Sequence, residues 1–168
     1  RMSELIKDVL QYSRLTSLDS QFEHTDLNRI LKRVLSDFDL NIEEKKAVIT
    51  SNTLPLIDGF PQQLNQFFYN LIINCFKFSR CVIPPRIIIE SEVLELGEVR
   101  VGKLDETNAY YKITFKDNGI GFDQRFAEKI FTIFQRLNDR TKFEGTGIGL
   151  ALCRKIVTVH NGEIYAQS

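Results

Sequence analysis

Neither sign of charge is in excess. Lys plus Arg and Asp plus Glu each number 22, so no general basic surface points to nucleic acid. Cysteine is scarce: Cys75, Cys81 and Cys153 have no metal-ligand spacing and leave an odd thiol. This argues against a disulfide scaffold and favours a reducing, cytoplasmic setting. No apolar run is long enough to span a bilayer and no signal peptide is recognisable. Membrane contact by this segment is therefore not expected, and a membrane sensor of a larger protein would lie outside it. Internal repeats and low-complexity tracts are missing, as are a Gly-Lys-Ser/Thr loop and a G-x-G-x-x-G fingerprint, which sets aside P-loop and dinucleotide folds.

What remains is ordinary globular material, with 43% hydrophobic and 26% charged residues over 168 positions, enough for one domain and a short extension. Met2, Leu5, Ile6, Val9 and Leu10 form an apolar stripe suited to a helical bundle, with residues 16–23 as a linker. Leu27, Ile30, Leu31, Val34, Leu35 and Phe38 recur at helical spacing behind a Thr25 or Asp26 cap. Periodicity predicts helices near 27–44, 61–79, 123–134 and 147–160, and strands near 47–52, 86–93, 110–117 and 162–167. That order makes an α/β fold, a two-layer α/β sandwich with a mixed sheet, preceded by an N-terminal helix.

Three separated segments carry polar chemistry. In the helix over 61–79, apolar Leu64, Phe67, Phe68, Leu71, Ile72 and Cys75 take one face, and Asn70, Asn74, Lys77 and Phe78 adjoin it at i, i+4, i+7 and i+8. Carboxamide oxygens suit Mg²⁺ and a lysine suits phosphate, although a solvated polar stripe has the same pattern. At 117–122, DNGIGF begins where the strand YYKITFKD ends. Asp117 can accept a hydrogen bond from an exocyclic amine, which favours adenine over guanine, while Gly119 and Gly121 permit tight turns beside a flat ring; a plain hairpin turn is the alternative. GTGIGL at 145–150 opens an apolar helix, so free backbone N–H groups and the helix dipole face an anion there; glycines also serve ordinary loops.

In this order, the segments closely resemble the catalytic ATP-binding domain of sensor histidine kinases in two-component signalling, within the wider family of gyrase, MutL and heat-shock chaperone ATPases. NLIINCFKFS at 70–79 looks like the N box, DNGIGF the G1 box, IFTIFQRL at 130–137 the F box and GTGIGLALCRKIV the G2 box. MSELIKDVLQYSRL at 2–15 resembles the end of the second dimerisation helix, which makes residues 1–20 the end of a dimerisation domain and 21–168 the ATP-binding domain, lacking its last strand.

The resemblance implies ATP and Mg²⁺ as cofactors, with Asn74 binding the metal, Asn70 supporting it and Lys77 on phosphate. Phe78 would lie beside the nucleotide, Asp117 would take the adenine amine, and Gly119 and Gly121 would shape the pocket. Gly145, Thr146, Gly147 and Gly149 would approach the phosphates, and Arg136, in a lid over 135–144, could reach the γ-phosphate. Phe131 and Phe134 would anchor the lid or simply pack in the core. Implied partners are a response-regulator receiver domain and a second copy through the dimerisation helices. In hydrolytic branches a Glu occupies the position of Asn70; a carboxamide cannot take water's proton, which favours phosphoryl transfer. A degenerate nucleotide-binding module acting by protein contact is the rival. Neither His24, placed in a linker, nor His160, ending the G2 helix, is followed by an acid, so the acceptor histidine is expected outside this chain. Cys75 stands where relatives often have Ala, and 90–111 is expected to extend a hairpin.

Overall fold

A computed structural model describes residues 22–102, 104–137 and 145–168, with Leu5, Ile6, Val9, Leu10, Tyr12 and Ser13, which are helical. Asp26 marks the first change from extended to helical chain, because its carboxylate accepts the Asn28 N–H at 2.9 Å. Strand β1 (Glu23–Asp26) precedes it and helix α1 (Leu27–Ser36) follows. The predicted single helix over 27–44 is instead two. The chain breaks at Asp37, and Phe38 turns into the core before α2 (Asp39–Lys45), stacking on Phe76 at 5.5 Å. Lys46, in the left-handed region, ends α2.

Strands β2 (Val48–Ser51) and β4 (Arg86–Val93) pair in parallel, and β4 pairs antiparallel with β5 (Tyr111–Asp117), giving the expected mixed sheet. Period-two alternation decides its faces. Ile87 and Ile89 are fully buried with Ile113 and Phe115 packed beside them, whereas the opposite face carries the ion pairs Glu90–Lys116 and Glu92–Lys112. Helix α3 (Pro61–Lys77) covers the apolar face through Leu64, Phe68, Ile72, Cys75 and Phe76. Alongside it lie α1 and α5 (Gly149–Val159).

Four expectations need correction. His24 belongs to no linker: β1 pairs antiparallel with β3 (Leu56–Gly59), which puts His24 opposite Asp58 with Nδ1 and Oδ1 2.5 Å apart at an exposed position. Residues 90–111 do extend a hairpin, β4 running antiparallel into β5, but its far end folds into a short helix, α4 (Leu96–Val101), where Val99 is buried. Over 123–134 there are two 3₁₀ turns, Gln124–Phe126 and Lys129–Phe131; Thr132 is extended and Phe134 left-handed, so that the Phe134 N–H reaches the Gly147 carbonyl at 3.0 Å. No strand forms over 162–168, where Ser168 and Ala166 bond to Gln124 and Phe122 in place of a ladder with β5.

His160 ties the end of α5 to the β3–α3 junction. Its Nδ1 lies 2.7 Å from the Ile156 carbonyl and must donate to it, so Nε2 is the acceptor of the Phe60 N–H at 3.0 Å. Phe22 and Phe60 cover the ring, and burial holds its pKa below the ordinary 6.5. Protonation removes the acceptor. The unfolded chain therefore binds a proton that the folded chain resists, so this contribution is complete above about pH 6.5 and is lost as pH falls toward the depressed folded value. Urea unfolding should find His160→Gln weaker than the parent by about 1 kcal/mol at neutral pH. The variant should also lose less stability than the parent on acidification to about pH 5.5. Equal pH slopes would show that the ring is not held neutral.

Candidate nucleotide site

Helix α3 ends at Phe78, and the end is tied down from two sides. Lys45 donates to the Phe76 carbonyl at 2.8 Å and to Ser79 Oγ at 3.0 Å, placing a positive charge on the last turn of the helix. From the other side, the turn after β5 docks onto the same backbone: the Ile120 N–H donates to the Phe78 carbonyl at 3.0 Å. The sharp fold of this turn comes from Asp117, whose Oδ1 accepts the Gly119 N–H at 2.8 Å.

Two residues with no role assigned from the sequence hold that turn. Asn118 accepts the Arg86 N–H at 2.8 Å and donates to the Pro84 carbonyl at 3.0 Å, anchoring the turn to the start of β4. Arg80 donates through Nε to the Gly119 carbonyl at 3.0 Å. The Asn-Gly pair signalled a turn in the sequence and so could have revealed Asn118; nothing local to the sequence singles out Arg80. Gly121, with φ of 66°, then carries the chain to Phe122, whose N–H donates to Ser168 Oγ at 2.9 Å.

Across the cleft, Gly145 and Gly147 have φ of 137° and 78°, backbone conformations that side chains rarely adopt. Arg136 Nη1 donates to the Gly145 carbonyl at 2.9 Å. The Lys77 ammonium lies 2.6 Å from where a Gly145 Cβ would be, so glycine is what admits it. Its charge also sits 4.8 Å from the Phe78 ring centroid. Residues 138–144 of the expected lid lie outside the described residues.

Asn70 and Asn74 differ in what they do. Asn70 is buried; its Oδ1 accepts from Gln66 at 2.9 Å and its Nδ2 donates to the Gly149 carbonyl at 3.3 Å, linking α3 to the first turn of α5. The half-buried Asn74 faces the cleft, and among the described residues its carboxamide makes no hydrogen bond. Among the described residues no cluster of three His, Cys, Asp or Glu could hold a metal by itself. A free carboxamide oxygen beside a phosphate-sized space is nevertheless a donor set that fits Mg²⁺, which takes the rest of its shell from phosphates and water.

One open cleft of about 2590 Å³ gathers Asn70, Asn74, Lys77, Phe78, Asp117, Gly121, Arg136, Gly145, Thr146, Gly147 and Gly149. Gly119 is the exception, packed behind the cleft against Phe78. Phe131 is buried beneath Arg154, whose guanidinium carbon lies 4.6 Å from the ring centroid, whereas Phe134 is 58% exposed. Phe131 therefore packs in the core and Phe134 does not.

The family model for histidine kinase-, DNA gyrase B-, and HSP90-like ATPases matches residues 59–168, and the chain belongs to that family. Within it, the chain is 40% identical over 167 residues to cyanobacterial phytochrome A of Nostoc sp. PCC 7120, covering 99% of this chain and 20% of that protein. It is 34% identical over 177 residues to the sensor protein kinase WalK of Staphylococcus haemolyticus, covering 100% of this chain and 26% of that one. The chain thus spans a fifth to a quarter of these relatives. Among solved structures, full-length ShkA in complex with AMPPNP superposes with a TM-score of 0.75 at 20% identity, covering 99% of this chain and 33% of that one. The histidine kinase ThkA, solved with the response regulator TrrA, gives 0.69 at 21% identity, covering 100% of this chain and 43% of that one. The solved structures share this chain's fold, and the family match places it among the histidine kinase-, DNA gyrase B-, and HSP90-like ATPases. No described helix is long and apolar enough to cross a membrane.

Gly119 gives a direct test of the turn. A Cβ there would lie 2.6 Å from Asp117 Oδ1 and 2.7 Å from the Phe78 carbonyl oxygen, and neither atom can move without breaking a hydrogen bond. Gly119→Ala should cost about 1–3 kcal/mol in thermal unfolding, and calorimetry should find nucleotide affinity at least about tenfold weaker. Gly97→Ala, with nothing within 4 Å of the new methyl, serves as the neutral control. Unchanged binding by Gly119→Ala would mean the turn does not shape the pocket.

Proposed function

We propose that this domain binds Mg²⁺-ATP and transfers the γ-phosphoryl group to a histidine outside the chain, which passes it to an aspartate of a response regulator. The observation that carries the proposal is the meeting, in one cleft, of the Asp117–Gly121 turn with Asn74, Lys77, Arg136 and the 145–149 glycine turn. The partnership rests on ThkA, solved with its response regulator. Homodimerisation through upstream helices and a cytoplasmic location belong to the same reading.

Asp117 would receive the adenine amine, since it is exposed and lines the cleft together with Gly121. Phe78 would lie beside the base. The triphosphate would run along the end of α3 toward the 145–149 turn, whose backbone N–H groups open α5 and whose glycines allow close approach. Arg136 would exchange the Gly145 carbonyl for a phosphate oxygen, and Lys77, whose ammonium lies beside Gly145, would turn to the phosphates. Asn74 would hold Mg²⁺, with Asn70 supporting it from the α5 side. The metal, when bound, supplies neutralisation of phosphate charge. The domain's own contribution is to bind, orient and withhold water activation, because no carboxylate stands at position 70.

Calorimetry with ATP, GTP and adenosine would separate the two ends of the site. Asp117→Asn should weaken ATP by about 1–3 kcal/mol and erase the preference over GTP. Asn74→Ala should abolish most Mg²⁺-dependent affinity yet retain adenosine. Loss of adenosine and ATP together in Asn74→Ala would make that residue structural.

The reaction itself is checked with labelled ATP. Alone, the chain should gain no acid-labile phosphate and hydrolyse ATP slowly; given a dimerisation domain bearing a histidine followed by an acid, it should label that histidine. His160 is barred as acceptor because both ring nitrogens are engaged. Rapid hydrolysis, or stoichiometric label on His24, would refute the assignment.

A further inference from the structure

The adenine-reading carboxylate has a second neighbour that no role has been given. Cys75 is on α3, one turn before Ser79, and its side chain points under the 117–121 turn with only 7% of the residue exposed. The thiol lies 3.9 Å from Asp117 Oδ2, within reach of an S–H donor, while Asp117 Oδ1 is already held by the Gly119 N–H at 2.8 Å. The carboxylate is thereby gripped at both oxygens, one by its own turn and one by the helix. Two holds fix the rotation of the carboxylate plane, which one hold at Oδ1 leaves free.

The thiol's state is consistent with that arrangement. The buried thiol, 3.9 Å from Asp117 Oδ2, has a hydrogen to donate to an oxygen that can accept it. Cys81 is exposed, and Cys153 meets the Phe67 carbonyl instead, so neither can substitute. Alanine at position 75 would leave Asp117 only the Gly119 hold.

We propose that Cys75 is a positioning residue for Asp117 that sharpens selection of the 6-amino group of purine nucleotides. This rests on the assignment of Asp117 as the adenine reader, and the test separates the two. ATP and the triphosphate of unsubstituted purine riboside, which lacks the 6-amino group, are titrated into the chain, Cys75→Ala and Asp117→Asn. Alanine removes the thiol and leaves the helix backbone intact, and the Cys75→Ala fold is checked by its unfolding curve. Cys75→Ala should bind ATP about three- to tenfold more weakly and the unsubstituted purine triphosphate as the parent does. An S–H infrared band present in the parent and missing from Cys75→Ala should shift in Asp117→Asn. Equal loss for both ligands would make Cys75 a packing residue and overturn the proposal. An unchanged ATP affinity in Cys75→Ala, beside a weakened Asp117→Asn, would overturn it while leaving the adenine reading intact. If Asp117→Asn itself binds both ligands as the parent does, the adenine reading falls and the proposal with it.

Discussion

The roll of α3 about its axis is the constraint on which the site depends. Leu64, Phe68, Ile72 and Cys75 are buried on one face, and each such side chain is worth roughly 1.5–3 kcal/mol when fully removed from water. Turning the helix by one residue, about 100°, would forfeit much of that burial, so packing alone fixes where the intervening positions point. Asn70, Asn74 and Lys77 fall at the edge of the apolar face because of that registration. Both turns are fastened to this helix: the 117–121 turn leans on the Phe78 backbone, and the 145–149 turn meets Lys77 and Asn70.

Much of this was legible in the sequence where a single period dominates. Strand β4 has its expected bounds because RIIIESEV is rich in β-branched residues and Pro84–Pro85 punctuates its start. The interior of α3 was clear for the same reason at helical spacing. What escaped reading was decided by tertiary contact. β1 and β3 are four residues each and mutually dependent, and EHTD or LIDG alone has no period to find. The segment 123–134 has the composition of a helix, yet Phe131 must enter the core and Phe134 must meet Gly147, and a regular helix cannot satisfy both. Asp37 offers no obvious break in a heptad-like stripe; the turn there follows from Phe38 stacking between Tyr69 and Phe76.

The site divides in the same way. The residue types that would meet a ligand were apparent, because a ligand demands particular chemistry at particular spacing. The residues that hold those groups in place were hidden, since Arg80, Asn118 and Gln66 act through backbone or amide partners distant in sequence or on the next turn. Support of this kind leaves little local signature. It matters nonetheless, as a carboxylate displaced by an ångström no longer matches its partner.

Asn70 joins the questions of fold and reaction. A carboxamide has both a donor and an acceptor, and here each is used: the oxygen accepts from Gln66 and the nitrogen donates to the Gly149 carbonyl. An ionised glutamate at this position has no donor, and its charge would face a carbonyl oxygen, repelling the first turn of α5. The amide therefore fastens the glycine turn to the helix bearing Asn74 and Lys77, and under the proposed function it also withholds a base from water. Introducing a carboxylate at position 70 would require the α3–α5 contact to be rebuilt, so under the proposed function the absence of a base there and the shape of the 145–149 turn are one feature, not two.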